Sequence, residues 1–251
     1  MGLRALITGS SSGIGFAYAK YLSNKNWRMD LISDDLIRLN NSKKELNYNK
    51  AEFHQADLSK YESIKKIVDS FETPDLIVAN AGIAINGAIA NISKNDKDHA
   101  YYLMYEGVID LIEGFVPKMI KNGGGRIVII SSIGAITPMP KSAIYSSIKA
   151  AIYAYGKSIS VELKNKNISV TVSMPGYVKT NAHKRSGLDH LEKKVPKWMW
   201  ITADKVVYET EKASKKGKTE VIPGILYKIT KPFLKLKSAI KIWQAITRRN
   251  Q

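Results

Sequence analysis

The sequence predicts an α/β fold built on a doubly wound parallel β-sheet. Strand-like and helix-like stretches alternate through the first two-thirds of the chain. The interior strand-like runs (Leu76 to Ala79, Arg126 to Ser131, Ser169 to Met174) are short and rich in Ile and Val, as strands covered on both faces are. A glycine-rich turn, Gly9 to Gly15, follows the first strand-like run and opens a helix.

The elements follow in order. Leu3 to Thr8 is an apolar run that ends at the glycine turn, and Ile14 to Lys25 places Ile14, Ala17, Tyr21 and Leu22 on one helical side. Trp27 to Ser33 reads as the second strand, Leu36 to Leu46 as a polar helix, and Ala51 to Leu58 as the third strand. Tyr61 to Phe71 carries Ile64, Ile67, Val68 and Phe71 at helical spacing. Longer helices are expected over Asp98 to Lys121 and Ala143 to Lys164, flanking the fifth strand. Regular patterning fails from Tyr177 to Trp200, a basic stretch expected to cover the carboxyl edge of the sheet, where ligands bind in such folds. A helix from Ala203, capped by Thr202, and a short strand at Glu220 to Ile222 complete the pattern.

No linker or repeat divides the 251 residues, so residues 1–224 are expected to form one domain and 225–251 a C-terminal extension. Hydrophobic residues make up 44%, enough for a sizeable core, and this excludes a wholly disordered chain. With no Cys there is no disulfide framework, thiolate zinc site or cysteine nucleophile. The four His include no His-x-x-x-His pair, and no metal is expected. No apolar run approaches the ~18 residues of a membrane span. The N-terminus lacks a signal-peptide layout, so a cytoplasmic location is expected.

The chemistry begins at Thr8-Gly9-Ser10-Ser11-Ser12-Gly13-Ile14-Gly15. Glycines at a strand-to-helix turn let backbone N–H groups approach a pyrophosphate at a helix N-terminus, so dinucleotide binding is expected. A Tyr-x-x-x-Lys pattern is weak alone, since it occurs six times, beginning at Tyr21, Tyr61, Tyr145, Tyr153, Tyr208 and Tyr227. Only Tyr145 lies on a helix after the fifth strand, with Ser132 thirteen residues earlier at that strand's end. The other five are expected on solvated faces. A spacing of four puts Tyr145 and Lys149 on one helix face, where the ammonium lowers the phenol's usual pKa of ~10 and readies it for proton exchange.

With Asp57 after the third strand, Asn80-Ala81-Gly82 after the fourth, Ser132 after the fifth, Tyr145-x-x-x-Lys149, and Pro175-Gly176 with Thr180 after the sixth, the chain resembles the short-chain dehydrogenase/reductase family. The likeness covers about Leu3 to Thr180, and more loosely extends to Gly224. It implies an NAD(P)-dependent oxidoreductase that interconverts a secondary alcohol and a ketone. By the same resemblance Ser132, Tyr145 and Lys149 are catalytic, and Lys149 also holds the nicotinamide ribose. Gly9, Ser11, Ser12, Gly13, Ile14, Gly15, Asp34, Asp57, Leu58, Asn80, Ala81 and Gly82 would bind the cofactor, with Asp57 contacting the adenine, and Asn80 would also stabilise the central strands. Pro175, Gly176, Val178 and Thr180 would hold the nicotinamide end. A homodimer or homotetramer is expected on the same ground.

Cofactor choice turns on Ser33-Asp34-Asp35 after the second strand. A carboxylate there binds ribose hydroxyls and repels a 2′-phosphate, which favours NAD; NADP is the alternative, with Arg38 the residue to favour it. Asp34 and Asp35 would otherwise simply cap the helix at Leu36. One departure from the family stands out. With Gly107, Pro117 and Gly123 to Val128 as anchors, Met104 takes the place of an Asn that kinks its helix and anchors a water in the proton relay. A thioether cannot donate, so the relay is missing or rerouted through Tyr101 or Tyr105. A non-catalytic dinucleotide-binding regulator or scaffold is the alternative this raises.

Lys plus Arg number 39 against 22 acids, a formal net charge of +17. After Glu220 there is no acid. From Pro232 to Asn250, Phe233, Leu236, Ala239, Ile240, Trp243 and Ile246 share a helical side opposite Lys237, Lys241 and Arg248. Such a basic amphipathic helix lies in an anionic membrane surface, or docks on its own domain or a second subunit. Nucleic acid is not expected, because no recognised module accompanies the charge. Trp198, Met199 and Trp200 point weakly to a bulky lipophilic substrate.

Overall fold

The computed structural model describes residues 2–180 and 195–230. Its main sheet joins seven parallel strands in the order β3-β2-β1-β4-β5-β6-β9. These are β1 (Arg4–Thr8), β2 (Arg28–Ser33), β3 (Ala51–Gln55), β4 (Leu76–Ala79), β5 (Gly125–Ile130), β6 (Ile168–Ser173) and β9 (Glu220–Val221). A second sheet pairs β7 (Tyr177–Lys179) with β8 (Trp200–Thr202), also in parallel. The expected doubly wound α/β fold is the one observed.

Helices cover both faces. On one side α3 (Tyr61–Ser70), α5 (Gly107–Lys121) and α6 (Ala143–Glu162) bury Ile64, Ile67, Phe115 and Ile152 against Ile127, Ile129 and Val172. On the other, α1 (Gly13–Ser23) and α7 (Ala203–Ser214) bury Ala17, Tyr18, Leu22 and Val207 against Ile7, Leu31 and Val128. Between β2 and β3, α2 (Leu36–Leu46) buries Leu39 and Ser42. Because every strand of the main sheet is parallel, every loop leaving a strand emerges at the same carboxyl edge. The strand order reverses direction between β1 and β4, and a crevice opens there.

Four differences from the sequence reading have local causes. The third strand stops at Gln55 rather than Leu58 because its partner β2 ends at Ser33, which leaves residues 56–58 to turn into the crevice. The long helix starts at Lys94, as α4 (Lys94–Tyr101), not at Asp98. The Ser93 Oγ accepts from the Asp96 N–H at 3.1 Å, a cap in front of a polar first turn that apolar periodicity overlooks. Between α4 and α5, Tyr102–Glu106 forms a five-residue π turn. The stretch expected to be irregular contains β7 and β8 at its ends.

After β9, α8 (Ile225–Thr230) brings Tyr227 into the core with no exposed surface. Tyr227, three residues past the boundary expected after Gly224, thus packs against the same core. The amphipathic pattern at 232–250, and the part of the basic stretch at 181–194, lie outside the described residues. No helix among the described residues is long and apolar enough to cross a membrane.

Candidate active site

The crevice at the carboxyl edge encloses about 300 Å³. Its floor is the turn after β1. Gly9 has a φ of +62°, and a Cβ there would come within 2.9 Å of the Ala81 Cα. At Gly15 a Cβ would lie 2.3 Å from the Gly9 carbonyl oxygen, so both positions require glycine. The turn is tied to the loop after β4: the Asn80 Nδ2 donates to the carbonyls of Thr8 (2.9 Å) and Gly9 (3.2 Å). In return the Thr8 Oγ1 accepts from the N–H groups of Asn80 and Ala81, each at 2.9 Å. Ser12 is the N-cap of α1, yet its side chain makes no capping bond and the first turn holds no acid. The first-turn N–H groups are thereby left to an anion from outside the chain.

At one end of the crevice lie Ser33, Asp34, Arg38, Asp57 and Leu58. The two adjacent acids divide their work. Asp35 caps α2, its Oδ1 accepting from the Arg38 N–H at 2.8 Å, while its Oδ2 pairs with the Arg38 guanidinium at 3.1 Å. Asp34 is left to line the crevice beside Arg38. Burial pushes the Asp57 carboxyl up, but hydrogen bonds from Ser59 and the Lys60 ammonium outweigh it and hold it below the usual carboxylate range.

At the other end lie Ser132, Tyr145, Lys149, Pro175, Gly176 and Val178, while the Thr180 side chain stands against the glycine turn, its Cγ2 3.3 Å from where a Cβ on Gly13 would lie. Tyr145 stands in the first turn of α6 and Lys149 one turn later, with the ammonium 5.8 Å from the phenol ring centroid. The Lys149 Nζ donates to the Ile130 carbonyl at 3.0 Å. Burial lowers its pKa from 10.5 to about 8. No carboxylate pairs with it among the described residues. The buried Ser132 Oγ accepts from the Gly134 N–H at 3.1 Å.

Of the residues expected at the site, Gly15 alone does not line the crevice; it packs beneath the turn. Ile83, Ala84, His99 and Leu103 line it without having been foreseen. His99 and Leu103 stand four residues apart on either side of the junction between α4 and the π turn, which no sequence pattern marked. Met104 also lines it and is buried in an apolar cluster with Ile85, Ala100 and Ile148, against which Tyr145 packs. Tyr101 reaches Ser147, with the hydroxyls 3.2 Å apart, rather than Lys149.

Two other expectations are corrected. Trp198, Met199 and Trp200 do not line the crevice: Met199 is buried, the Trp200 ring packs 5.4 Å from that of Tyr177, and Trp198 faces solvent. The remaining Tyr-x-x-x-Lys tyrosines are not all on solvated faces. Tyr227 is fully buried, and Tyr153 donates to the Glu220 carboxylate at 2.6 Å. Asp30, Glu52 and His54 cluster away from the crevice, where Arg4, 2.6 Å from Asp30, supplies the counter-charge.

The sequence model of the family described as "short chain dehydrogenase" matches residues 4–190. An uncharacterized oxidoreductase of Staphylococcus epidermidis is 31% identical over 221 residues, covering 86% of this chain and 94% of that protein. The oxidoreductase UcpA of Salmonella typhimurium is 33% identical over 186 residues, covering 71% and 70%. Among solved structures, a short-chain dehydrogenase from Sphingobium yanoikuyae in complex with NADPH superposes with a TM-score of 0.83 at 22% identity, covering 97% of this chain and 95% of that one. The L-sorbose reductase from Gluconobacter frateurii, complexed with NADPH and L-sorbose, gives 0.77 at 25% identity, covering 90% and 97%.

Proposed function

The chain belongs to the short-chain dehydrogenase/reductase family of NAD(P)-dependent oxidoreductases, and on that premise we propose that it interconverts a secondary alcohol and a ketone. The observation that carries this reading is the meeting of Ser132, Tyr145 and Lys149 at one end of a crevice whose floor is an uncapped helix N-terminus. The residues fit a dinucleotide. Gly9 and Gly15 leave no room for side chains where the backbone must come close, and Asp34, Arg38 and Asp57 bound the end where the adenosine would sit.

When bound, the dinucleotide supplies or accepts the hydride at the carbonyl carbon. The protein's part is the proton and the alignment. In the reducing direction the Tyr145 hydroxyl gives its proton to the carbonyl oxygen; in the oxidising direction the Tyr145 oxygen takes one from the alcohol. Ser132 donates a hydrogen bond to the same oxygen and fixes its position. The Lys149 ammonium steadies the negative charge left on Tyr145 and hydrogen-bonds the nicotinamide ribose. Pro175, Gly176, Val178 and Thr180 keep the nicotinamide end against this group.

For the cofactor we take NAD and NADP as equally supported. Asp34 opposes a 2′-phosphate, while Arg38, on the same wall, favours one. Titration with NADH and with NADPH, followed by a panel of ketones with loss of reduced cofactor as the signal, tests the reading. Binding without turnover across a broad panel favours the second reading, a dinucleotide-binding regulator. The apolar enclosure of Met104, where the family has a relay-anchoring Asn, supports that alternative. A homo-oligomer, common in the family, is part of the proposal and is measured by sedimentation.

A further inference from the structure

Tyr145 and Lys149 share α6 but are anchored to different parts of the protein. Lys149 is fixed to the end of β5: its Nζ donates to the Ile130 carbonyl at 3.0 Å, and its own carbonyl accepts from the Ser131 Oγ at 2.8 Å. Tyr145 stands one turn nearer the helix start, beyond that anchor. With Ile144 it packs on Ile85, Ala100, Met104 and Ile148. Three of these four belong to the segment that joins β4 to α5, and Ile148 to α6 itself. Apolar contact of this kind is non-directional and does not orient a hydroxyl.

Two polar ties from the same segment flank Tyr145. Three residues before it, the Ser142 Oγ donates to the Asn86 Oδ1 at 3.2 Å. The neighbouring Gly87 N–H donates to the Lys141 carbonyl at 2.8 Å. Lys141 has a φ of +59°, uncommon for a residue with a side chain, so the chain turns sharply into α6 where the loop after β4 grips it. Two residues after Tyr145, the Ser147 and Tyr101 hydroxyls lie 3.2 Å apart. The Ser147 proton goes to the Ile144 carbonyl at 2.8 Å, so Tyr101 is the donor of that pair. None of Asn86, Tyr101, Ser142 and Ser147 lines the crevice. Their effect on a reaction there passes through α6.

We propose that Asn86 and Tyr101 are positioning residues: they clamp the first turn of α6 onto the segment after β4 and so hold the Tyr145 hydroxyl against the substrate oxygen. This rests on the reading of Tyr145 as the proton donor. The clamp divides the helix by task. Ile130 and Ser131 keep Lys149, and with it the dinucleotide ribose, in place, whereas Asn86 and Tyr101 set the proton donor alone. The Tyr101 hydroxyl is thereby spent on α6. Misplacing a reacting group by about 1 Å costs up to about 10²-fold in rate.

The test uses Asn86→Ala, Tyr101→Phe and the double variant of the full chain. Three quantities are compared with the parent: kcat for ketone reduction per folded molecule, the Kd for reduced dinucleotide from fluorescence titration, and hydrogen exchange over residues 143–148. That stretch includes the Ser146 N–H, which bonds the Ser142 carbonyl at 2.9 Å. In the double variant kcat should fall by about 10–100-fold while the dinucleotide Kd holds and exchange over the stretch quickens. Asn86→Asp keeps the acceptor for Ser142 and should keep the parent's kcat. If the double variant melts early, Tyr101→Phe, which removes a hydroxyl alone, carries the comparison with a smaller fall.

An undiminished kcat in a well-folded double variant would overturn the proposal. So would kcat and dinucleotide affinity falling together, as a general loosening gives, or a loss that Asn86→Asp shares. A parent that binds the dinucleotide but reduces no ketone would refute the reading of Tyr145 rather than the clamp. Exchange then decides: quickened exchange in the variants supports the clamp, and unchanged exchange overturns it.

Discussion

The Tyr227 ring occupies the space a side chain on residue 176 would need: a Cβ added at Gly176 would lie 2.0 Å from the ring's Cζ. A tyrosine fifty-one positions downstream of Gly176 thus supports the strip from Pro175 to Val178 that walls the crevice. Gly176→Ala forces ring and backbone apart and should cost about 1–3 kcal/mol or more. Tyr227→Phe leaves the Tyr177 N–H without this acceptor and the Met199 carbonyl without its donor, and should cost about 1–3 kcal/mol. Urea denaturation of both variants, with partial recovery in Gly176→Ala/Tyr227→Leu, checks the contact.

Lys149 is buried, and among the described residues no carboxylate offsets its lost hydration, so folding disfavours its charge and its pKa falls from 10.5 to about 8. Below about pH 8 both folded and unfolded chains are protonated there, and the folded state bears the full cost, about 3 kcal/mol for a gap of this size. As pH rises from about 8 towards 10.5 the unfolded chain binds more protons and the cost disappears. Lys149→Met should therefore be more stable than the parent near neutrality. That margin should shrink by about 2–3 kcal/mol by roughly pH 10. A margin independent of pH would contradict the desolvated ammonium.

Tyr145→Phe keeps the ring packed beside Met104 and removes only the hydroxyl. Turnover should fall by about 10²–10⁴, typical of losing a general acid/base, with dinucleotide affinity little changed. Steady-state kinetics and a cofactor titration separate the two effects. Full activity in this variant would sink the assignment.

Because Asp35 is committed to capping α2 and pairing with Arg38, the cofactor choice falls to Asp34 and Arg38. Asp34→Ser should raise NADPH affinity over NADH by about tenfold, roughly 1.4 kcal/mol, and Arg38→Ala should lower it by a similar factor. Unchanged ratios in both variants would place the discrimination elsewhere in the crevice.

Met104 is 1% exposed, packed with Ile85, Ala100 and Ile148, and its Sδ would stand 3.2 Å from a Cβ on Gly82. Met104→Leu should cost less than about 1.5 kcal/mol. Met104→Asn should cost about 1–3 kcal/mol where its amide finds no partner. If proton supply limits the parent, Met104→Asn should raise turnover per folded molecule, and adding Tyr145→Phe should abolish the gain. A parent with high turnover that Asn only lowers would refute a defective relay.

The sequence by itself determined the sheet and most of the crevice. Short Ile- and Val-rich runs such as Leu76 to Ala79, alternating with helical stretches, fit strands buried on both faces, and the glycine turn after β1 fits close backbone approach. Chain order selected Tyr145 from six equal spacings, because it alone follows the fifth strand with a serine, Ser132, thirteen residues earlier at that strand's end. Tertiary structure decided the rest. No local pattern tells that Tyr227, which has the same spacing motif, turns inward beneath Gly176, or that Asp35 rather than Asp34 caps α2. Nor does one tell that Tyr102–Glu106 forms a π turn with Met104 buried in it. Periodicity and turn chemistry are properties of neighbours in sequence. Which side chain fills the space opposite a glycine, or takes a lysine's charge out of water, is set by segments that meet only when the chain has packed.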